Sequence, residues 1–235
     1  GNSPSTEEAS VTGVHIDTSN IYLQGSSVPD ITATVNAIQG TGVLLDSSYI
    51  DLSSGIVLFV TGSVSDADSS IGIFINDTIV TGGYSSFNGI VDDSPGVAIK
   101  FNQATIRNSN ATGTANLSPS TSIRIDDSSF YDTEIQGSCI GDDQCNDIVI
   151  EKENRMSNVS IEASGSKSIQ IQNAINTLEG DGLELTGVVD MVSSLFEGTK
   201  LEFHFSSVSL RGNQFLLQQL LMDQNTPSGD VGIGA

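Results

Sequence analysis

The chain has 235 residues, of which 37% are hydrophobic, with 24 glycines, no tryptophan and a formal net charge of −21. This charge repels phosphate backbones and anionic lipids, so we expect no nucleic-acid partner. The longest apolar run, at 56–60, is far shorter than the roughly 20 residues that a membrane-spanning helix needs, and no membrane span is predicted. The composition fits one domain with a core of Ile, Val and Leu, which favour strands.

The first ten residues form a polar stub, GNSPSTEEAS, that begins with Gly and not with Met. Such a start is typical of a chain from which an export segment or a tag has been removed. We therefore expect an exported protein, located at the cell surface, in the periplasm or outside the cell.

A short pattern returns along residues 11–212. It consists of two apolar residues separated by one residue, then four further residues, then a second such apolar pair. Its clearest copies are Val14/Ile16/Ile21/Leu23, Val43/Leu45/Ile50/Leu52 and Val97/Ile99/Ala104/Ile106. The copies that begin at 14, 43, 73, 97, 123 and 148 are 29, 30, 24, 26 and 25 residues apart.

Within each copy, the period of two indicates strands with one buried face. The constant gap of four residues predicts a tight corner between two short strands, and the variable remainder closes each circuit of the chain. Repeated circuits of this kind are typical of a solenoid. The segment at 28–40 fits both a helix and a strand, and we favour a strand. The apolar segment at 213–224 is interpreted as a cap, either helix or strand.

The repeat resembles the right-handed parallel β-helix of the pectin-lyase-like superfamily and of autotransporter passenger domains. This resemblance implies an all-β, single-stranded solenoid whose ends are capped. The predicted organisation is a polar stub at 1–10, the β-helix at 11–212, and a C-terminal cap and tail at 213–235. If the copies stack, equivalent residues form columns spaced about 4.8 Å apart.

One predicted column lies where each first strand meets its corner. Its members are polar and mostly acidic: Asp17, Asp46, Asn76, Lys100, Asp126, Glu151 and Gln172. Clustered carboxylates suit calcium, which makes Asp17, Asp46 and Asp126 candidate calcium ligands and calcium the one candidate cofactor. The alternative is that short polar side chains favour this corner because they bond to local backbone groups.

The pectin hydrolases of the resembled fold carry acidic motifs, a Gly-His-Gly and an Arg-x-Lys. Acidic pairs are present here at 92–93, 126–127 and 142–143, but His15 and His204 have no neighbouring glycine and no Arg-x-Lys occurs. A polysaccharide lyase needs a base and a cation to hold the uronate carboxyl. Lys100, Arg124 and Asp126 are the candidate catalytic residues for that chemistry, with an exposed salt-bridge cluster as the alternative.

Cys139 and Cys145 lie close together in a polar segment, SCIGDDQCND. Metal binding would require further soft ligands nearby, so this spacing favours a local disulfide. The alternative is two free thiols in a reducing compartment.

We expect a non-enzymatic, exported module that is adhesin-like or binds a glycan, with a glycan or a cell-surface or matrix protein as its partner. The segments at 107–122 and 136–147 are predicted to be long loops that project from one side as binding loops do. A polysaccharide lyase is the first alternative function, and a structural spacer is the second.

Overall fold

The computed structural model describes residues 10–23, 30–36, 39–65, 69–92, 95–117, 119–140, 145–164, 168–224 and 231–234. These residues form strands joined by short turns, with no helix among them. No helix in this described part is long and apolar enough to cross a membrane. The strands are β1 (Ser10–Asp17), β2 (Asn20–Leu23), β3 (Asp30–Asn36), β4 (Gln39–Asp46), β5 (Tyr49–Ser65), β6 (Ser69–Asn76), β7 (Ile79–Asp92), β8 (Gly96–Asn102), β9 (Thr105–Ala115), β10 (Thr121–Asp126), β11 (Ser129–Cys139), β12 (Asn146–Ala163), β13 (Ser168–Val192), β14 (Leu195–Arg211), β15 (Gln214–Gln224) and β16 (Val231–Gly234).

Strands β1, β4, β6, β8 and β10 pair in this order, and the first parts of β12 and β13 continue the series. We call this surface face A. A second series of pairs runs through β2, β5, β7, β9, β11, β12, β13, β14 and β15. Shifts in its register near 53–56, 81–84 and 179–182 divide this series into an earlier part, face B, and a later part, face C, which ends at residue 187 in β13 and at residue 205 in β14.

Every strand pair among the described residues is parallel. The chain passes from face A through B to C and then returns to A one strand further along, and we call each such circuit a rung. This all-β, parallel and curled sheet is compatible with the solenoid that the repeat predicts.

The predicted register is right in most rungs and wrong in the fourth. Val14 pairs with Val43 and Val43 with Ile73, as the repeat requires. Ile73 then pairs with Ile99, and Phe101 takes the place that was predicted for Ile99. Apolar residues occupy every second position of β8, so the pattern fits two registers that differ by two residues.

The core consists of columns of side chains that point inward from successive rungs. One column, in which every side chain is fully buried, contains Val43, Ile73, Ile99, Ile123, Ile148 and Ile169. Three buried rings, Phe87, Phe101 and Phe130, pack edge to face in sequence, with centroid separations of 6.2 and 5.1 Å. Such contacts add to the stability that burial alone gives.

Faces A and C press directly against each other. A Cβ atom built on Gly62 would lie 2.0 Å from the carbonyl oxygen of Gly72, and one on Gly89 would lie 2.2 Å from that of Ala98. No side chain fits in this space, so glycine is needed for the close approach of the two backbones. Outward side chains of face C therefore stand on a rigid double layer.

The corner from face A to face B has one shape in successive rungs. Its first residue has a positive φ, as Thr18, Ser47 and Asp77 do. The next residue is commonly a buried hydroxyl that donates back to a backbone carbonyl: the Ser48 hydroxyl donates to the carbonyl oxygen of Asp46 at 2.7 Å. The preference for short polar residues at this corner thus has a local backbone cause.

The described parts of the two uncertain segments form strands. Within the segment at 28–40, β3 pairs with β5. The segment predicted as a cap contains β15, which pairs with β14 and extends the same sheet. The two predicted loops are wrong in part, because β9 continues to Ala115 and β11 to Cys139. Residues 118 and 141–144 of these segments lie outside the described residues.

Cys139 and Cys145 form a disulfide with a Cα–Cα distance of 5.8 Å. Both residues are buried and pack against Ala115 in a small cluster beside the main core. The backbone N–H of Cys139 donates to Asp147 Oδ1 at 2.6 Å. The disulfide therefore joins the end of β11 to the residues just before β12.

Candidate functional site

The polar column that the sequence predicts exists, with one member replaced. In register, its residues are Asp17, Asp46, Asn76, Asn102, Asp126, Glu151 and Gln172. Asn102 stands where Lys100 was predicted, because of the two-residue shift in β8. The prediction that Lys100 lies one rung above Asp126 is therefore wrong, and Lys100 instead pairs with Arg124.

Part of this column is a row of side-chain amides. Asn76 Nδ2 donates to Asp46 Oδ1 at 2.7 Å, and Asn102 Nδ2 donates to Asn76 Oδ1 at 2.7 Å. Asp126 follows Asn102 in register, and its buried Oδ1 has no hydrogen-bond partner among the described residues. The row satisfies most of its polar atoms internally, which favours a structural role for Asn76 and Asn102.

The three candidate calcium ligands do not come together. Asp17 and Asp46 pair directly, on β1 and β4. Asp126 lies on β10, three rungs beyond Asp46, which corresponds to about 14 Å at the usual strand spacing. One calcium ion cannot contact all three carboxylates at the 2.3–2.6 Å that its ligands adopt.

Two of the three candidate lyase residues, Arg124 and Asp126, form an ion-pair cluster with Glu151. Arg124 Nε lies 3.1 Å from Asp126 Oδ2, and Arg124 Nη2 contacts Glu151 Oε2. The Lys100 ammonium lies 5.0 Å from the centre of the Phe74 ring, in a cation–π contact. Because two carboxylates already bind the guanidinium, Arg124 is poorly suited to hold the carboxylate of a uronate.

A second charged cluster, which the sequence interpretation did not identify, lies on the outer side of face C. Lys200 Nζ lies 2.8 Å from Glu202 Oε2, and His204 Nε2 lies 3.3 Å from Glu202 Oε1 and 3.5 Å from Glu184 Oε1. The hydrogen bond from Lys200 lowers the pKa of Glu202 and raises that of Lys200. These groups satisfy one another, so the cluster has the character of a surface salt-bridge network.

The outer side of face C also carries a surface of amides, hydroxyls and aromatic rings. We define this amide–hydroxyl face as Phe59, Thr61, Tyr84, Ser86, Asn88, Asn110, Thr112, Glu134 and Gln136. Phe59 is 43% exposed and Tyr84 is 37% exposed, although both are large rings. In register, Phe59 is followed by Ser86, Asn110 and Glu134, and Thr61 by Asn88, Thr112 and Gln136.

The strand segments that carry this face, at 57–65, 84–92, 109–115 and 133–139, contain no lysine or arginine. The sequence interpretation missed the face because the repeat pattern covers faces A and B and stops before face C. The signal in the sequence is the recurrence of T-G-S, N-G-I, T-G-T and Q-G-S at 61, 88, 112 and 136. In these motifs the glycine lies at an inward position, against face A, and the side chains of the polar residues beside it lie on the outer side.

Comparison with known proteins finds no match to this chain among family models, curated proteins or solved structures.

Proposed function

We propose that this protein is an exported, non-enzymatic module that binds a glycan through the amide–hydroxyl face. In this proposal the sheet is a right-handed parallel β-helix with capped ends, of the pectin-lyase-like kind, and it presents the face at a cell surface or in a matrix. The observation that carries the proposal is the pair of exposed rings, Phe59 and Tyr84, beside in-register columns of hydroxyl and amide side chains.

The chemistry of this face matches that of a sugar. An exposed ring offers a flat apolar surface with little conformational freedom to lose, which suits packing against the apolar side of a sugar ring. Hydroxyl and amide groups both donate and accept, so Thr61, Asn88 and Asn110 offer partners to sugar hydroxyls. Glu134 is the only charged member of the face and is acidic, which favours a neutral glycan over a polyuronate.

The rigidity of face C supports the same proposal. Binding costs less when the contacting groups are already held in place. The columns stand on strands that are pressed against face A at Gly62 and Gly89. A glycan chain would therefore meet side chains whose backbone does not rearrange.

The test is a panel of neutral and acidic glycans, followed by calorimetry on the best ligand. We expect binding to a neutral glycan, and we expect Phe59→Ala and Tyr84→Ala each to weaken it at least tenfold without changing the circular dichroism spectrum. Tyr22→Ala is the matched control, because Tyr22 is 62% exposed but belongs to face B. Equal losses in all three variants, or no binding to any glycan, would refute the proposal.

The same panel tests catalysis. A lyase generates unsaturated uronates, which absorb in the ultraviolet. We expect no rise in absorbance with any polyuronate, with or without calcium. A rise that Arg124→Ala abolishes would show that the ion-pair cluster on face A is catalytic and would overturn the non-enzymatic assignment.

A further inference from the structure

At the N-terminal end of face A, three side chains with metal-binding atoms lie together. His15 and Asp17 are two residues apart on β1, so both point outward, and Asp46 of β4 pairs with Asp17. One ligand atom from each of the three side chains lies within 4.8 Å of the other two. His15 and Asp17 are exposed and Asp46 is half-buried.

The charge around these side chains is uncompensated. The first 99 residues contain eleven Asp and Glu and no Lys or Arg, and the first basic residue after them is Lys100 on β8. Among the described residues, the two in-register carboxylates therefore lie beside His15 and form no ion pair with a Lys or Arg. This differs from the other acidic neighbourhoods on face A and face C, where Arg124 and Lys200 neutralise the carboxylates.

Neighbouring residues orient both carboxylates through one oxygen each, and no described residue donates to the other oxygen of either. Thr18 Oγ1 donates to Asp17 Oδ1 at 2.7 Å. Asn76 Nδ2 donates to Asp46 Oδ1, also at 2.7 Å. Hydrogen bonds of this kind to the second oxygen of a carboxylate fix the direction of the first, and they commonly support metal ligands.

The geometry points to a binding site for a divalent transition metal of the zinc class, formed by His15, Asp17 and Asp46. One imidazole nitrogen and two carboxylate oxygens are a ligand set that suits Zn²⁺, Ni²⁺ or Cu²⁺, whereas Ca²⁺ takes six to eight oxygen ligands. Metal–ligand bonds of about 2.1 Å place tetrahedral ligands roughly 3.4 Å apart, a distance that rotation of exposed side chains reaches. Water completes the coordination, and the ion joins β1 to β4.

This inference is independent of glycan binding, because face A and the amide–hydroxyl face use different residues. The test is calorimetric titration of the chelator-treated full chain with zinc chloride, together with its melting temperature. We expect one zinc site per chain and a higher melting temperature with zinc. His15→Ala and Asp46→Asn should each weaken binding at least tenfold.

His204→Ala is the matched control, because His204 also lies among carboxylates, those of Glu184, Glu202 and Asp223. It should leave zinc binding unchanged. Imidazole binds metal only when it is neutral, so affinity should fall in acid in the parent chain. The melting temperature without metal should be the same in His15→Ala as in the parent chain, which separates loss of the site from loss of the fold.

Three results would overturn the inference: no response to zinc in the parent chain, loss of binding in His204→Ala but not in His15→Ala, or equal binding of zinc in His15→Ala. If calcium raises the melting temperature as much as zinc does, and does so equally in His15→Ala, the two aspartates act without the imidazole and the assignment to the zinc class is wrong.

Discussion

Lys200 and Glu202 lie two residues apart on the outer side of face C, and the 2.8 Å hydrogen bond between them changes the pKa of both. The pKa of Glu202 is lowered, so its contribution to stability is present above the unfolded value of about 4.3 and is lost as the pH falls through the folded value. The pKa of Lys200 is raised, so its contribution is present below about 10.4 and is lost as the pH rises through the folded value. The pair therefore stabilises the fold at neutral pH.

We predict that Glu202→Gln lowers the melting temperature at neutral pH and that the difference from the parent chain shrinks as the pH falls below the ordinary glutamate value of about 4.3. The loss should be less than about 1 kcal/mol, because both side chains are partly exposed to solvent. Glu134→Gln, which removes an exposed carboxylate from the same face, is the control and should change the melting temperature at neutral pH by less than Glu202→Gln does. A difference for Glu202→Gln that stays constant from neutral to acidic pH would contradict the proposed role of its charge.

At the scale of strands, the repeat predicted faces A and B because alternating burial leaves an apolar residue at every second position. It misplaced β8, where Val97, Ile99 and Phe101 allow two registers. It also read parts of β9 and β11 as loops, because the inward positions Gly113 and Gly137 have no side chain. The physical cause is that face C packs closely against face A. A local sequence pattern does not predict this contact between residues far apart in the chain.

The packing of faces A and C gives a prediction for one glycine. A Cβ on Gly113 would lie 2.6 Å from the carbonyl oxygen of Ser122 and 2.6 Å from Ile123 Cγ1. We expect Gly113→Ala to lower the free energy of unfolding by about 1–3 kcal/mol, as overpacking of a tight core does. The neighbouring outward change Thr112→Ala should alter it by less than about 0.5 kcal/mol. Urea denaturation of the parent chain and of both variants measures these changes. If Gly113→Ala were as stable as the parent chain, the two faces could separate without cost.

The candidate site was predictable only where it falls on the repeat. The polar column was predicted in order apart from Lys100, because its members occupy one position of each copy. Phe59 and Tyr84 belong to face C, whose strands lie outside the repeat pattern. The register that places Asp46 next to Asp17 is the one that the repeat predicts. The sequence interpretation compared His15 only with hydrolase motifs, and so it did not group His15 with the two aspartates.

For the whole molecule, charge is the dominant long-range effect. A formal charge of −21 on 235 residues makes the folded chain repel itself, since compaction brings like charges together. The eight Lys and Arg residues all follow residue 99, so the early rungs carry acidic groups without basic partners. Salt should therefore stabilise this fold by screening.

We predict that the melting temperature rises between about 0.01 M and about 0.15 M monovalent salt, where the Debye length falls from about 30 Å to about 8 Å. A chelator in every sample excludes divalent metals from the comparison. Sodium chloride and choline chloride should act equally, because screening does not depend on the identity of the cation. A melting temperature that falls with salt would show that the favourable ion pairs outweigh the repulsion.

The side-chain hydrogen bonds in the row of amides at the corner of face A all run in the same direction. Each side-chain amide has a donating end and an accepting end, and both Asn76 and Asn102 send their donors towards Asp46. Carboxylates stand at both ends of the row, so one of them receives no donor from the row. That one is Asp126, whose Oδ1 has no partner among the described residues while its Oδ2 pairs with Arg124. For the row to donate to Asp126 instead, the side-chain amides of Asn76 and Asn102 would both have to reverse their orientation. Only a ligand that replaced Asn76 at Asp46 Oδ1 would let the row reverse and offer a donor to Asp126, three rungs away.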